Sequence, residues 1–210
     1  MKILELFSGS GNISRAFTQT GHEAYTVDRD SQHNPTLRAN IADLTASDLI
    51  TLCNGDRPDV IWASPDCATY STNAISYHRN GTEPISEYAR FCDNVNIHLL
   101  NLIKELQPKY WFIENPIGKL RKMPFMQPLT PFRYSLTYCQ YGSPYQKPTD
   151  IWTNHPDPQF KRMCKRGSPC HTPSPRGATT GINGLRNAQA RSVIPFPLCQ
   201  HIAHISTHEP

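Results

Sequence analysis

Apolar and polar positions fall in short blocks along the chain, and the blocks switch repeatedly between the strand period and the helix period. "KILELF" (2–7) reads as a strand. In "ISRAFTQTGH", Ile13, Ala16 and Phe17 share a helical face and Gly21 is the stop. "EAYTVD" (23–28) reads as a second strand ending in an acid, "TLRANIADL" holds a third, and Asp48 to Cys53 forms a brief helix. "PDVIWAS" (58–64) is the fourth strand and the clearest. From Ile85 to Leu106, apolar or small residues fall at 85, 88, 89, 92, 95, 99, 102, 103 and 106, the pattern of a one-faced helix. "PKYWFIENP" (108–116) is the next strand, and "FRYSLTY" and "TDIWTN" make a closing, hairpin-like pair. This alternation predicts an α/β fold, a mostly parallel doubly wound sheet with an antiparallel closing strand.

Beyond Asn154 the texture changes. Residues 155–190 are rich in Pro, Gly, Ser, Thr and Arg with almost no apolar period, and loops of that length are functional or disordered. "RSVIPFPLCQHIAHI" restores an apolar helix-like pattern that can pack back on the sheet, whereas "HIAHISTHEP", with three histidines on no clear face, reads as a tail. The expected organisation is a main domain over 1–154, an excursion over 155–190 and a returning segment over 191–210.

With 210 residues, 38% hydrophobic and 18% charged, the chain can bury one real core. No apolar run approaches the roughly 20 residues a membrane span needs. "MKILELF" leads straight into a strand, so no signal peptide is expected. Seven cysteines, an odd number set in ordinary elements, point to reduced thiols and a cytoplasmic setting. The net charge of +4 matters less than its position. Lys161, Arg162, Lys165, Arg166, Arg176, Arg186 and Arg191 fall in a stretch with no acid. Such a segment suits phosphate-backbone binding, because each cation set on a phosphate releases counterions. A solvated surface loop is the plainer alternative.

Two strand ends carry candidate chemistry. "ELFSGSGN" is strand, Gly-x-Gly turn, helix, in which Gly9 and Gly11 let the backbone approach a ligand closely. Asp28 ends the next strand, where a carboxylate can bond ribose hydroxyls. Ser14 stands where the dinucleotide fingerprint has its third glycine, so a single adenosine moiety fits better than NAD. At the other place, the fourth strand runs out into Pro65-Asp66-Cys67 and the fifth into Glu114-Asn115-Pro116. A right-handed crossover through the long helix makes these strands neighbours and sets both ends on one edge. A sulfur nucleophile beside a carboxyl group suits covalent attack on an electron-poor heterocycle. The competing readings are a small buried hydrophobe for Cys67 and a surface acid or helix cap for Glu114.

In order along nearly the whole chain, these motifs resemble the DNA cytosine-5 methyltransferase family. "LELFSGSGNISRAF" resembles its S-adenosylmethionine loop, "VDRD" its ribose-binding acid and "ANIADL" its Gly-Asp-Ile motif. "SPDCATYS" resembles Pro-Pro-Cys-Gln-x-x-Ser, "ENP" resembles Glu-Asn-Val, and "QYGSPYQKP" resembles Gln-Tyr-Gly-x-Pro-Gln-x-Arg-x-Arg. "RSVIPFPLCQHI" resembles the terminal Gly-Asn-Ala-Val-Pro motif. The resemblance implies a Rossmann-like fold binding S-adenosylmethionine through Phe7, Ser8, Gly9, Ser10, Gly11, Asn12, Asp28, Arg29, Asn40, Ile41, Pro65, Ser192 and Val193. It implies Cys67 as nucleophile, Glu114 gripping cytosine N3 and the 4-amino group, Asn115 holding the nucleophile loop, and Ser71 and Lys147 as further site residues. It also implies a base flipped from double-stranded DNA into the pocket, and no catalytic metal.

Departures from the pattern are Asn40 for aspartate, Asp66 for the second proline, Ala68 for glutamine, Pro116 for valine, Lys147 and Thr149 for two arginines, and Ser192 for asparagine. Asp66 would raise the Cys67 thiol pKa unless Lys147 or the helix end compensates. Only about 40 residues, at the short limit for an independent domain, separate the Gln-Tyr-Gly motif from the last one, where sequence-specific members carry a large recognition domain. Compact members of this kind resemble those of bacteriophages and prophages. The minimal recognition region is then the basic excursion, with Lys161, Arg162, Lys165, Arg166, Arg176 and Arg186 on the backbone of the nucleic acid, and the protein is expected to be a monomer. Cys164, Cys170 and His171 invite a zinc reading, with Cys139 or His155 as a conjectural fourth ligand. The Cys-x5-Cys spacing is off the usual two to four, which favours a metal-free loop. Rival functions are an amino-methyltransferase, a tRNA cytosine-5 methyltransferase and a catalytically silent nucleic-acid-binding domain.

Overall fold

A computed structural model describes residues 1–71, 75–165, 167–173 and 188–208, without the side chains of 188 and 189. In chain order the elements are β1 (Lys2–Leu6), α1 (Asn12–Thr18), β2 (Glu23–Asp28), β3 (Leu37–Arg38), α2 (Ala46–Leu52) and β4 (Val60–Ala63). There follow α3 (Ile75–His78), β5 (Arg79–Asn80), β6 (Glu83–Pro84), α4 (Glu87–Leu106), β7 (Tyr110–Pro116), β8 (Arg133–Thr137), β9 (Pro148–Thr153), α5 (Ala188–Ser192) and α6 (Phe196–Thr207). The main sheet has the order β3-β2-β1-β4-β7-β9-β8, parallel except for β9, and β5 and β6 form a separate small hairpin. The closing pair therefore lies differently from a simple edge strand: β9 inserts between β7 and β8 and runs against both.

Both faces of the sheet are covered, so the central strand β4 is apolar at every position, Val60 to Ala63, and wholly buried. On one face α2 and α4 bring Leu49, Leu99, Leu102 and Leu106 onto Leu4, Leu6 and Ile61. On the other, Ile13 and Phe17 of α1 and Leu198 and Ile202 of α6 pack on Ile3, Val60 and Trp62. Burial of each such Leu, Ile or Phe contributes roughly 1.5–3 kcal/mol.

In two places the structure differs from the pattern. The apolar spacing puts Ile85 on the face of the long helix, but the residue precedes the cap and is 52% exposed. The helix starts only after Ser86, whose hydroxyl accepts from the Ala89 amide at 3.1 Å. The segment read as a tail is the second half of α6: Ile202, Ala203, Ile205 and Ser206 are buried and continue the helical stripe begun at Leu198. The histidines hid that stripe. His201 lies outside it, its Nε2 2.8 Å from the Pro158 carbonyl. No helix among the described residues is long and apolar enough to cross a membrane.

A buried polar cluster ties α4 to the turn that follows β4. The Arg79 guanidinium donates to both Asp93 oxygens (2.7 and 2.9 Å) and to the Thr69 carbonyl (2.9 Å), and it lies 4.3 Å over the Tyr70 ring. The Tyr70 hydroxyl donates to Asp93 at 2.7 Å and accepts from Asn96 at 3.0 Å. Removing one partner of so buried an ion pair costs about 3–5 kcal/mol. Gly118 seals the same turn from the other side, because Lys119 N–H donates to the Tyr70 carbonyl at 2.7 Å.

A Cβ on Gly118 would meet that carbonyl oxygen at 2.5 Å, backbone against backbone. Gly118→Ala is therefore expected to destabilise the protein by about 1–3 kcal/mol, measured by denaturant unfolding.

Under the first loop, Glu5 is buried and accepts from the Ser14 amide at 2.8 Å. Burial pushes its carboxyl from 4.5 up to about 7, against the opposing pull of Ser14. Between those values the folded chain holds a proton that the unfolded chain has released, so stability falls as pH rises through that window. Glu5→Gln should match the parent near pH 4.5 and exceed it by about 3 kcal/mol at pH 8, read from paired denaturation curves.

Candidate active site

The loop after β1 is shaped by backbone that most residues avoid. Phe7, Gly9 and Gly11 all have positive φ, at 56°, 47° and 64°. The Gly9 amide donates to one Asp28 oxygen at 2.8 Å, and the Asp30 amide takes the other at 2.8 Å. A Cβ on Gly9 or Gly11 would meet nothing within 4 Å, so the loop borders open space beside the carboxylate that ends β2. That arrangement fits an adenosine-bearing cofactor, with a close backbone approach and a ribose acceptor. The Asn12 carboxamide donates to the Ile194 carbonyl at 2.9 Å, which ties this loop to the segment holding Ser192 and the half-exposed Val193. Ser8 is buried and Ser10 is exposed. Asn40 caps a short turn by accepting from the Ala42 amide at 3.2 Å, and Ile41 sits in the core beneath rather than on an open surface.

The second half of the site collects at the carboxyl edge of the sheet. Ala63 pairs with Ile113, so Glu114 lies one step past the end of β4, and Pro65 and Cys67 follow that same end. The Asn115 carboxamide donates to the Pro65 carbonyl at 2.9 Å and fixes the Cys67 turn to β7. Because β9 runs against β7, its beginning reaches this edge and delivers Lys147, while β8, parallel to β7, delivers Tyr138 from its end. The Tyr138 hydroxyl donates to Glu114 Oε1 at 2.8 Å. The Lys147 ammonium is 4.0 Å from that oxygen and 4.4 Å over the Tyr138 ring. Lys147 is 7% exposed and Glu114 5%, so this charge pair is largely shielded from water. Thr149 is wholly buried and donates to the Lys147 carbonyl, a local structural role. Ser71 donates to the Ala68 carbonyl at 3.2 Å.

The Cys67 thiol is pushed up to about 11. Burial is the largest cause, Glu114 the second and Asp66 the third, and Lys147 pulls the other way. Asp66 thus raises the thiol, but less than the cavity and the paired acid do. Its chief work is mechanical. One oxygen accepts from the Ala68 amide at 2.8 Å, the other takes the Tyr88 hydroxyl, and Arg29 lies 3.6 Å from it. These bonds stiffen a loop that the missing proline would otherwise stiffen.

Several contributors escaped the sequence reading. Tyr138 carries a visible signal only in standing just before the Gln-Tyr-Gly motif, and Gly118 only in following Glu-Asn-Pro. Arg79, Asp93 and Tyr88 are scattered, and nothing local marks them.

In the basic segment Arg162 and Lys165 are exposed, whereas the Lys161 ammonium donates to the Gln140 carbonyl at 3.0 Å. Arg166, Arg176 and Arg186 lie outside the described residues. Cys139, Cys164, Cys170 and His171 present donor atoms all within 4.8 Å of one another, although Cys164 and Cys170 lack the usual ligand spacing. Cys139 reaches this group from the turn after β8 and not from the loop. His155 is not part of it, since its Nε2 lies 3.0 Å from the Ile205 carbonyl.

The family model for C-5 cytosine-specific DNA methylases matches residues 1–141. The Frog virus 3 protein named "Probable DNA (cytosine-5)-methyltransferase" is 30% identical over 162 residues, covering 73% of this chain and 71% of the relative. Among solved structures, a DNA modification methyltransferase encoded within an E. coli prophage superposes with a TM-score of 0.54 at 17% identity, covering 73% of this chain. Spodoptera frugiperda DNMT2 gives 0.51 at 23% over 78%, and the Entamoeba histolytica methyltransferase EhMeth gives 0.54 at 14% over 79%. The chain spans 46%, 53% and 57% of these three, about half their length. The likeness shows the fold, that of S-adenosylmethionine-dependent methyltransferases. Since the family match takes in the glycine loop, the thiol turn and the acid that faces it, the chain belongs to the family of C-5 cytosine-specific DNA methylases.

Proposed function

We propose that this protein methylates C5 of cytosine in DNA through a covalent bond between Cys67 and C6 of a flipped base. The convergence of Cys67, Glu114 and Lys147 on one shielded edge, one strand away from the glycine loop, carries the reading. Gly9, Gly11 and Asp28 hold S-adenosylmethionine, which when bound supplies an electrophilic methyl group. Unstacking the target base costs a few kcal/mol, met by contacts in the pocket. Glu114 grips cytosine N3 and accepts from the 4-amino group. Tyr138 fixes the rotation of that carboxyl group through Oε1. The thiolate of Cys67 adds to C6, the ring electrons move to C5, and C5 becomes nucleophilic. After C5 is alkylated, its proton is lost to a base and the C6–S bond breaks, returning the thiolate. Asn115 positions the nucleophile through the Pro65 carbonyl. Arg162 and Lys165 contact phosphates, so recognition is short and dominated by the backbone.

Bisulfite sequencing of DNA and of tRNA from cells expressing the protein tests the substrate. Cytosines in one short DNA context should resist conversion, and protection in tRNA alone would reassign it. Cys67→Ala should lose methylation and the covalent complex with 5-fluorocytosine DNA together, whereas an amino-methyltransferase would keep its activity.

A thiol at about 11 leaves roughly one part in ten thousand as thiolate at pH 7. Alkylation of Cys67 by iodoacetamide, followed by peptide mass spectrometry, should therefore rise about tenfold per pH unit up to pH 10. Lys147→Met should slow it about tenfold and Glu114→Gln should speed it by a similar factor.

A further inference from the structure

We propose that Cys139, Cys164, Cys170 and His171 form a structural zinc site that clasps the basic segment to the catalytic edge. The Cys139 sulfur lies 3.2 Å from that of Cys164 and 3.6 Å from that of Cys170. His171 Nδ1 lies 3.7 Å from the Cys164 sulfur and 3.5 Å from the Cys170 sulfur. A tetrahedral Cys3His zinc site, with bonds of about 2.3 Å to sulfur and 2.0–2.1 Å to nitrogen, has edges of roughly 3.8 and 3.5 Å. The four separations are close to those edges, and all donor atoms lie within 4.8 Å of one another. All the sulfurs are free thiols, and 3.2 Å is well beyond the roughly 2.05 Å of a disulfide bond.

Two glutamine side chains already bond the sulfurs. The Gln146 carboxamide donates to the Cys164 sulfur at 3.2 Å, and that of Gln140 donates to the Cys170 sulfur at 3.4 Å. Such N–H bonds stabilise thiolate ligands and orient them. The Cys164 amide also donates to Thr137 Oγ1 at 3.0 Å, so the loop is anchored where β8 ends.

The site has a mechanical consequence for the activity proposed above, though the metal does not depend on that activity. Cys139 and Gln146 bracket the turn that leads into Lys147, and Cys164 lies between the cations Arg162 and Lys165. One ion with four ligands would hold the Lys147 turn and the phosphate-binding segment as a single unit. Binding of this kind supplies folding free energy to a segment with little apolar surface of its own.

Untagged protein purified without chelator should carry about one zinc per chain by atomic emission, and Cys170→Ser with His171→Ala should carry under ~0.2. Cobalt in place of zinc should give the thiolate charge-transfer bands of a tetrahedral site. Trypsin should leave the zinc-loaded protein intact at Arg162 and Lys165 and cut there after chelation, with protection restored by zinc and not by magnesium. Parent protein with under ~0.1 zinc and no cobalt bands, or a Cys139–Cys164 disulfide in reducing buffer, would overturn the proposal whatever the variants do.

Discussion

The hydrogen bond from the Asn115 carboxamide to the Pro65 carbonyl joins the two strand ends on which the site is built. The β4-α4-β7 crossover sets those ends side by side, but side by side leaves several ångströms of freedom in a turn without regular structure. The bond removes that freedom at the residue two before the thiol. Tyr70, bonded to Asp93 and stacked under Arg79, removes it three residues after. The Cys67 turn is thereby held at both ends by contacts whose partners lie on β7, α4 and β5, the first of which also carries Glu114. Both ends are buried, so water offers no competing partners and the geometry is strongly specified.

A turn held so firmly against the sheet also has an electrostatic result. Burial disfavours every charge near Cys67, which raises the thiol and makes the nearby Lys147 the opposing influence. Lys147, Tyr138 and Glu114 then form a compact set in which the ammonium lies close to the carboxyl and over the ring. In the proposed reaction a cytosine ring would bring its own hydrogen-bonding groups to Glu114, in surroundings of low polarity where such bonds are strong. The same exclusion of water that suppresses the thiolate in the free protein would then strengthen the grip on the base.

The antiparallel insertion of β9 gives the fold its economy. It lets the start of one strand and the end of its neighbour serve one edge, so that Tyr138 and Lys147 meet although the connection between β8 and β9 spans ten residues. The proposed zinc site closes that connection against the basic segment. A clasp of four ligands is a means of ordering a polar segment that a hydrophobic core of this size could not reach.

The sequence by itself determined what is local or nearly so. Strand and helix periods placed β1, β2, β4, α4 and β7, because side-chain alternation and helical repeat are properties of neighbouring residues. The glycine loop was legible, because positive φ selects glycine, and so were Cys67, just past β4, and Glu114, near the end of β7, because the crossover between those strands is handed. Tertiary structure decided the rest. Ile85 fell outside its helix because a serine cap, not the apolar pattern, sets the first turn. The helix-like pattern as far as Ile205 overlaps a histidine-rich stretch that reads as a tail, and packing against α1 decides for the helix. Asp66 does raise the thiol, as its charge requires, but its use as a brace by Ala68, Tyr88 and Arg29 depends on distant residues. Cys139 stands 25 to 32 residues before the other three donors of its cluster, Cys164, Cys170 and His171, which share one loop. Spacing along a chain constrains ligands only when they share one loop, and here the fold, not the spacing, brings Cys139 to the other three.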